Sequence, residues 1–210
     1  MNIRKALGVL FLAVTITLGS CSKDPLGNLS AEDSRIYITD YDTTANFSRF
    51  ASFSISDSVA VIDNGQVTKQ STETDQAFIA AVKSAMQARG YSLVSKNASP
   101  DLGINVNRIY NTSTGIISYG DFYDYYGNYW DPYYWGYGGY GYYDPYAYAT
   151  YTISEGALSI DLLNLKDAPA SNKISLVWTG LIRGSGIFNT ATAANQVQTL
   201  FNQSPYLKKQ

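Results

Sequence analysis

The side chains that most often carry catalysis are nearly absent from this sequence of 210 residues, which has no His and a single Cys. Without His, no imidazole can activate a Ser or Cys nucleophile or bind a metal ion. A single Cys cannot form an intramolecular disulfide or a thiolate zinc cluster. Carboxylates, hydroxyls and aromatic rings remain as the groups able to bind a ligand. We therefore predict a protein that is not an enzyme and that needs no cofactor or metal.

The one Cys, Cys21, stands at a position suited to covalent modification. Residues 18–21 read Leu-Gly-Ser-Cys, which resembles the bacterial lipobox, where the Cys receives a thioether-linked lipid and the leader is cleaved before it. Arg4 and Lys5 followed by the apolar stretch 6–18 have the layout of a secretory signal peptide, and this stretch is too short to span a bilayer comfortably. We predict lipidation of Cys21. The alternative is an ordinary signal peptide with an incidental Cys.

The residues after Cys21 indicate where the lipoprotein would be sorted. In the bacterial sorting rule an Asp directly after the Cys implies the inner membrane, so Ser22 implies the outer membrane. Residues 23–24, Lys-Asp, resemble the surface-export signal of Bacteroidetes lipoproteins, although Pro25 replaces a second acidic residue of that pattern. The expected location is the outer membrane, lipid-anchored, with the domain either periplasmic or surface-exposed. The expected organisation is a signal peptide over residues 1–20, a polar tether over 21–34 and a single domain over 35–207.

The charge of the chain restricts its partners. The formal net charge is −2, and loss of Arg4 and Lys5 with the leader makes the mature chain more acidic. Nucleic-acid binding needs a basic surface, so we expect no nucleic-acid partner. The expected partners are the membrane, through the lipid on Cys21, and an envelope protein or glycan.

The hydrophobic pattern of the mature chain predicts an α+β fold. Residues 71–90 carry apolar side chains at helical spacing, with Thr72 or Thr74 as a possible N-cap and Gly90 as the C-terminal stop. A second helix is predicted at about 192–203. Strands and short apolar segments are predicted at 36–39, 47–55, 59–62, 91–94, 102–110, 157–165 and 174–183, the last two as a long hairpin. The economical arrangement is two layers, a mostly antiparallel sheet with the two helices packed on one face.

A tract rich in Tyr and Gly, residues 119–151, interrupts this pattern. It contains most of the 19 Tyr, two of the three Trp, four Asp and no Lys or Arg. One interpretation is a loop or irregular hairpin whose rings pack on each other and on the sheet. Another is a binding surface, because Tyr and Trp supply rigid contact area with a polar tip. A calcium site made by the Asp residues is a third interpretation, although no EF-hand pattern is present. The candidate ligand-binding residues are Tyr129, Trp130, Tyr133, Tyr134 and Trp135.

Several short motifs of the mature chain occur in an order that resembles bacterial lipoproteins of the domain of unknown function 4136 family. The resemblance covers about residues 36–206, and it implies an envelope lipoprotein whose biochemical role is not established. The chain departs from the family pattern at Asn164, where an acidic residue is common, and at Thr179, where Arg is frequent. The matching motifs are 40–42 (Asp-Tyr-Asp), 47–50 (Phe-Ser-Arg-Phe) with Phe53, 90–91 (Gly-Tyr), 100–102 (Pro-Asp-Leu), 156–162 (Gly-Ala-Leu-Ser-Ile-Asp-Leu) and 176–180 (Leu-Val-Trp-Thr-Gly).

Two residues of these motifs, Asp161 and Trp178, are the most tempting to treat as functional. We expect Trp178 to be a core aromatic, and Asp161 to be a solvated or hydrogen-bonded strand residue. The predicted function is a non-enzymatic binding module, lipid-anchored to the outer membrane, for an envelope protein or glycan. One alternative is a structural or stress-protective lipoprotein without a specific ligand. A third is a hydrolase acting on glycans, which would need a second carboxylate beside Asp161.

Overall fold

The fold is described from a computed structural model, which describes residues 30, 32–63, 66–110, 116–118, 134–143, 150–152 and 156–209. Its strands are β1 (Ile36–Tyr41), β2 (Ser52–Ile55), β3 (Val59–Asp63), β4 (Gln66–Gln70), β5 (Ser92–Leu93), β6 (Leu102–Tyr110), β7 (Ile116–Ser118), β8 (Gly141–Tyr143), β9 (Thr150–Thr152), β10 (Ala157–Asn164) and β11 (Lys173–Arg183). Its α-helices are α1 (Glu73–Ala88), α2 (Ala168–Ser171) and α3 (Ala193–Asn202).

A nine-stranded sheet forms the centre of the domain. Its strands follow the order β1-β11-β10-β6-β2-β5, while β3 joins β6 and carries β4, and β8 joins β11. The long ladders, β1 with β11, β11 with β10 and β10 with β6, are antiparallel. Strands β2 and β3 pair in parallel with successive parts of the same edge of β6. A separate small sheet is formed by β7 and β9.

Helix α1 begins and ends where its sequence provides capping groups. Thr72 and Asp75 form a capping box: the Thr72 side chain accepts from the Asp75 backbone N–H, and the Asp75 carboxylate accepts from the Thr72 N–H. This arrangement satisfies two of the backbone donors that a helix start leaves open. At the other end Gly90 has a φ of +89°, a conformation that glycine adopts without steric cost.

The larger hydrophobic core lies between the sheet and the helices α1 and α3. Apolar residues on alternate positions of β6 and β10, such as Ile104 and Ile160, meet Val82 of α1 and Leu200 of α3. Trp178 is fully buried here, and its indole Nε1 donates to the Ser204 hydroxyl at 2.9 Å. The expectation that Trp178 is a core residue is therefore confirmed, and its one polar atom has a partner.

A second hydrophobic cluster covers the opposite face of the sheet. The cluster contains Trp135 from the aromatic tract, together with apolar residues of β3, β6, β10 and β11 and of the segment between β10 and β11. Partly buried rings of the same tract pack against it: Tyr134, Tyr137, Tyr140 and Tyr142. Residues 134–142 of the tract therefore lie on the sheet, as the first of the three interpretations predicts.

Arg89, at the end of α1, holds the C-terminal segment against the domain. Its guanidinium donates to the backbone carbonyls of Phe201, Ser204 and Leu207, the last two at 2.7 and 2.8 Å. Burial lowers the pKa of this guanidinium, although nearby Tyr91 and Tyr206 act in the opposite direction. One of these carbonyls belongs to the last turn of α3, and the other two belong to the segment that follows it, so the guanidinium joins the end of α1 to both.

The predicted α+β fold with two helices on one face of a sheet is confirmed. Thr72 is the N-cap of the first helix, and the hairpin of β10 and β11 forms as expected. The structure adds strands and a helix that the pattern did not predict: the strand β4, the short strands β7, β8 and β9, and the short helix α2 between β10 and β11. The signal peptide, Cys21 and most of the tether lie outside the described residues.

Candidate functional site

A small pocket lies on the face of the sheet that carries the aromatic tract. Its volume is about 30 Å³, which is room for about two water molecules or one small substituent. The lining combines hydroxyls, amides, one ammonium group and two aromatic rings. It consists of Ser56, Ser58, Ala60, Lys69, Asn105, Val106, Asn107, Tyr134 and Trp135.

Trp135 anchors this part of the tract on the sheet. Only 7% of its surface is exposed, and its indole lies against Gly103 of β6. A Cβ at position 103 would stand 3.0 Å from Trp135 Cε2 and 2.9 Å from Leu165 Cδ1, closer than carbon atoms pack. The glycine therefore leaves the space that lets the indole approach the strand.

Tyr134, next to this anchor, forms one side of the pocket and is half-buried. Its ring packs edge-on against Trp135, with the centroids 4.9 Å apart. Lys69 Nζ lies 5.4 Å and Lys96 Nζ lies 4.3 Å from the Tyr134 ring centroid, within the range of cation–π attraction. The phenol oxygen accepts from the Asp57 backbone N–H at 3.4 Å. Among the described residues, Tyr134 is thus in contact with its neighbour Trp135, with both lysines and with Asp57.

A buried carboxylate lies behind the pocket. Asp161 on β10 has no exposed surface, and its Oδ1 accepts from the Thr179 hydroxyl at 2.6 Å. Its Oδ2 accepts from Asn107 Nδ2 at 2.6 Å and from the Ser159 hydroxyl at 2.9 Å. A buried charge needs such partners to offset its desolvation. The network fixes Asn107, which lines the pocket, and Asp161 is hydrogen-bonded as expected but buried rather than solvated.

The Pro-Asp-Leu motif at 100–102 forms a second polar cluster, at the end of the sheet where β6 begins. The Asp101 carboxylate accepts from the Ala51 N–H at 2.6 Å and from Lys166 Nζ at 3.1 Å. Burial raises the pKa of Asp101, but the hydrogen bonds and the Lys166 charge outweigh it, so the pKa lies below its ordinary value. The side chain of Asp101 is 17% exposed. Since its partners hold the chain together at this point, we interpret Asp101 as structural.

The structure brings two of the five predicted ligand-binding residues to the pocket, Tyr134 and Trp135. The other three, Tyr129, Trp130 and Tyr133, lie outside the described residues, so they stay predictions. Sequence reasoning did not find Lys69, Lys96 or the asparagines of β6 as site residues. Polar residues on alternate strand positions were the available signal, but a strand with one solvated face gives the same pattern.

The arrangement of the pocket suits binding. Its polar groups donate and accept hydrogen bonds, and its rings supply an apolar wall. Within the described ranges no cluster of three or more acidic or Cys side chains could hold a metal ion. No helix among the described residues has the length and apolar character needed to cross a membrane.

Comparison with known proteins places the domain in a family. The family model of a domain of unknown function, DUF4136, matches residues 38–206. A crystal structure of a DUF4136 family protein from Bacteroides thetaiotaomicron is similar, with 34% identity, a TM-score of 0.71, and coverage of 85% of this chain and 100% of that chain. A PDZ domain protein from Parabacteroides distasonis has 12% identity, a TM-score of 0.46, and coverage of 83% of this chain and 37% of that chain. No curated protein matches the sequence.

The second of these similarities is too low to carry an argument, and the first agrees with the family match. The resemblance predicted from the short motifs is confirmed at the level of the family, while lipidation stays a prediction. Because the family model spans most of the chain and the Bacteroides thetaiotaomicron structure shares its fold, the chain belongs to the DUF4136 family.

Proposed function

We propose that this chain is a lipid-anchored lipoprotein of the bacterial outer membrane. Its domain acts as a non-enzymatic binding module for an envelope glycan or protein. The lipobox-like run 18–21 and the signal-like residues 1–20 support the anchor. Two or more acyl chains hold a protein stably on a membrane without a spanning segment.

The observation that carries the binding role is the way in which Trp135 fixes the aromatic tract beside a polar pocket. Tyr134 is then held next to hydroxyls, amides and an ammonium group, all on or beside rigid strands. Binding sites gain affinity when their groups are held in place before the ligand arrives. A polar pocket that admits one small substituent suits a sugar better than the large apolar anchors of a protein interface. Between the two classes of partner, we therefore favour a glycan.

The burial and hydrogen bonding of Asp161 support the proposal that the domain is not an enzyme. Glycoside hydrolysis needs a carboxyl group with access to the scissile bond. Asp161 is buried and accepts hydrogen bonds from two hydroxyls and an amide. Such contacts are typical of a carboxylate that organises a structure.

The test is a pull-down of the purified full chain with peptidoglycan sacculi, followed by a glycan array. Tyr134→Ala removes the ring beside the pocket, and Tyr143→Ala is the control, because Tyr143 is 50% exposed on the same segment and does not line the pocket. We expect the Tyr134 variant to lose about 5- to 10-fold in affinity, the contribution of one aromatic contact. The proposal would be contradicted if the wild-type chain retained no glycan, or if both variants bound glycan equally well.

A further inference from the structure

The pocket lies where strand β6 changes partners. Along one edge of β6, β2 pairs as far as Ile104, and β3 pairs from Asn107 onward. The connection between β2 and β3 passes this break, and Ser56 and Ser58 of the connection line the pocket. Asn105, which lies in the break, lines it as well. The polar side chains of the pocket are therefore placed by the topology of the sheet itself.

The asparagines of β6 have hydrogen-bonding groups to offer to a ligand. Asn107 is 1% exposed, and its Nδ2 donates to the Ser159 hydroxyl at 2.8 Å and to the Asp161 carboxylate at 2.6 Å, which fixes the orientation of the amide. Among the described residues no group donates to its carbonyl oxygen, which is not fully enclosed and therefore faces the pocket that Asn107 lines. Within the same ranges, the amide of half-buried Asn105 and the hydroxyl of Ser58 form no hydrogen bond.

The rest of the lining favours an uncharged ligand group with an apolar part. Ala60 of β3 and the indole of Trp135 supply apolar surface, and Trp135 lies against the face of β6 from which Asn105 and Asn107 project. Lys69 is the one charged residue among those that line the pocket, and it interacts with other groups of the protein. The ligand group that the lining suits is therefore neutral, and it both donates and accepts hydrogen bonds.

The size of the pocket restricts this group further. A volume of about 30 Å³ excludes a sugar ring but accepts a substituent of three or four heavy atoms. An acetamido group has four heavy atoms, with an N–H donor, a carbonyl acceptor and a methyl group. Each of these three parts has a counterpart in the lining, whereas a hydroxyl substituent would leave the apolar wall without a contact.

Resting on the proposed function, we propose that the ligand is a saccharide with an N-acetyl group and that this group enters the pocket. Its N–H donates to Asn107 Oδ1, and its carbonyl accepts from the Asn105 amide or the Ser58 hydroxyl. Its methyl group packs against Trp135 and Ala60. The sugar ring stays at the mouth of the pocket.

The experiment is isothermal titration of the full chain with chitotriose and with cellotriose, which has the same rings and linkages but a hydroxyl in place of each N-acetyl group. The variants are Asn105→Ala and Ser58→Ala, and the matched control is Asn195→Ala, an exposed Asn of α3 outside the pocket. We expect cellotriose to bind the wild-type chain at least about tenfold more weakly than chitotriose. Each pocket variant should weaken chitotriose binding about 3- to 10-fold, the usual value of a neutral hydrogen bond, and the control should change little. Thermal unfolding checks that the variants are folded.

The outcomes separate this inference from the proposed function. Equal affinity for the two trisaccharides, weakened alike by Tyr134→Ala, would overturn the N-acetyl ligand and leave the glycan-binding module standing. Chitotriose binding that is unchanged in both pocket variants would also overturn the inference, because the ligand would then bind elsewhere. If neither trisaccharide binds, the inference is wrong, and absence of any glycan in the sacculus pull-down and the array would overturn the proposed function as well.

Discussion

Asp101 illustrates how one side chain joins segments that are far apart in the sequence. Its carboxylate binds the backbone of Ala51 and the ammonium of Lys166, and its own N–H donates to the Ser52 hydroxyl at 3.1 Å. Its backbone carbonyl accepts from Leu165 and from Lys166. The start of β2, the start of β6 and the end of β10 therefore meet at one residue, which gives the Pro-Asp-Leu motif a structural explanation.

We predict that Asp101→Asn lowers the free energy of unfolding by about 1.5–3 kcal/mol. Asn carries no charge, so the groups that donate to Asp101 lose their charged hydrogen-bond acceptor. Urea denaturation at pH 7 measures this value. The control is Arg49→Gln, which breaks the ion pair between Arg49 and Asp167 at 2.8 Å. Both of its partners are almost half exposed, so we expect less than about 1 kcal/mol. An equal loss in the two variants would show that Asp101 has no special role.

The lowered pKa of Asp101 predicts that the stability of the domain depends on pH. The pKa of Asp101 is lower in the folded state than in the unfolded chain, where the side chain of an Asp has a pKa of about 3.9. Its stabilisation is therefore present above that unfolded value and is lost as the pH falls through the lower folded pKa. The difference in stability between wild type and Asp101→Asn should shrink over this acidic range. A difference that stays constant down to pH 2 would contradict the assignment.

At the level of the elements, the aromatic tract can contact β6 only because position 103 is a glycine and carries no side chain. Gly103 leaves the space that Trp135 fills, and this contact positions Tyr134 at the pocket. A small residue on a central strand thus determines where a segment more than 30 residues later in the sequence can lie.

We predict that Gly103→Ala moves the Trp135 indole and lowers stability by about 1–3 kcal/mol, the usual cost of overpacking. Near-ultraviolet circular dichroism reports the indole environment, and thermal unfolding reports the stability. Gly141→Ala is the matched control on the same segment, because its added Cβ would meet Lys173 Cγ at 3.4 Å, an ordinary contact. An unchanged aromatic spectrum in Gly103→Ala would mean that the indole does not depend on the glycine.

The elements differ in how far their sequences predict them. Strand β6 and helix α1 have clear periodic patterns over nine and sixteen residues, so their type and bounds follow from the residues alone. Strand β4 is polar and exposed along its whole length, and it exists because β3 offers it an edge. The parallel pairing of β2 and β3 with β6 depends on contacts between distant segments, which no local pattern contains.

The candidate site was predictable only in part, for the same reason. Aromatic composition pointed to Tyr134 and Trp135, because such residue types concentrate at binding surfaces. Lys69 and Lys96 lie on separate elements, and only the packing of the tract on the sheet brings them to one ring. The burial of Asp161 likewise depends on a cover for the second face of the sheet, which the strand pattern does not show.

The whole molecule has a sheet covered on both faces, by helices on one side and by part of the aromatic tract on the other. Covering both faces explains why β10 is apolar at most positions and buried along nearly its whole length. The proposed lipid on Cys21 would connect this domain to the membrane through the tether 21–34.

We predict that Cys21→Ser moves the protein from the membrane fraction to the soluble fraction, because no acyl chain can then be attached. Fractionation of expressing cells measures this change, and mass spectrometry of the wild type should show the mass of the attached lipid. Ser22→Ala, which keeps the Cys, is the control and should remain on the membrane. Membrane association of Cys21→Ser equal to the wild type would contradict the anchor.

The hydrogen bonds of Arg89 make the packing of the C-terminal segment part of the larger core's stability. Leu207 is fully buried in the larger core, and the carbonyls of Phe201 and Ser204 satisfy a guanidinium that was synthesised more than a hundred residues earlier. A chain that ends before Leu207 would lack this buried side chain and one acceptor of the Arg89 guanidinium. We therefore expect truncation before Leu207 to lower the stability of the domain.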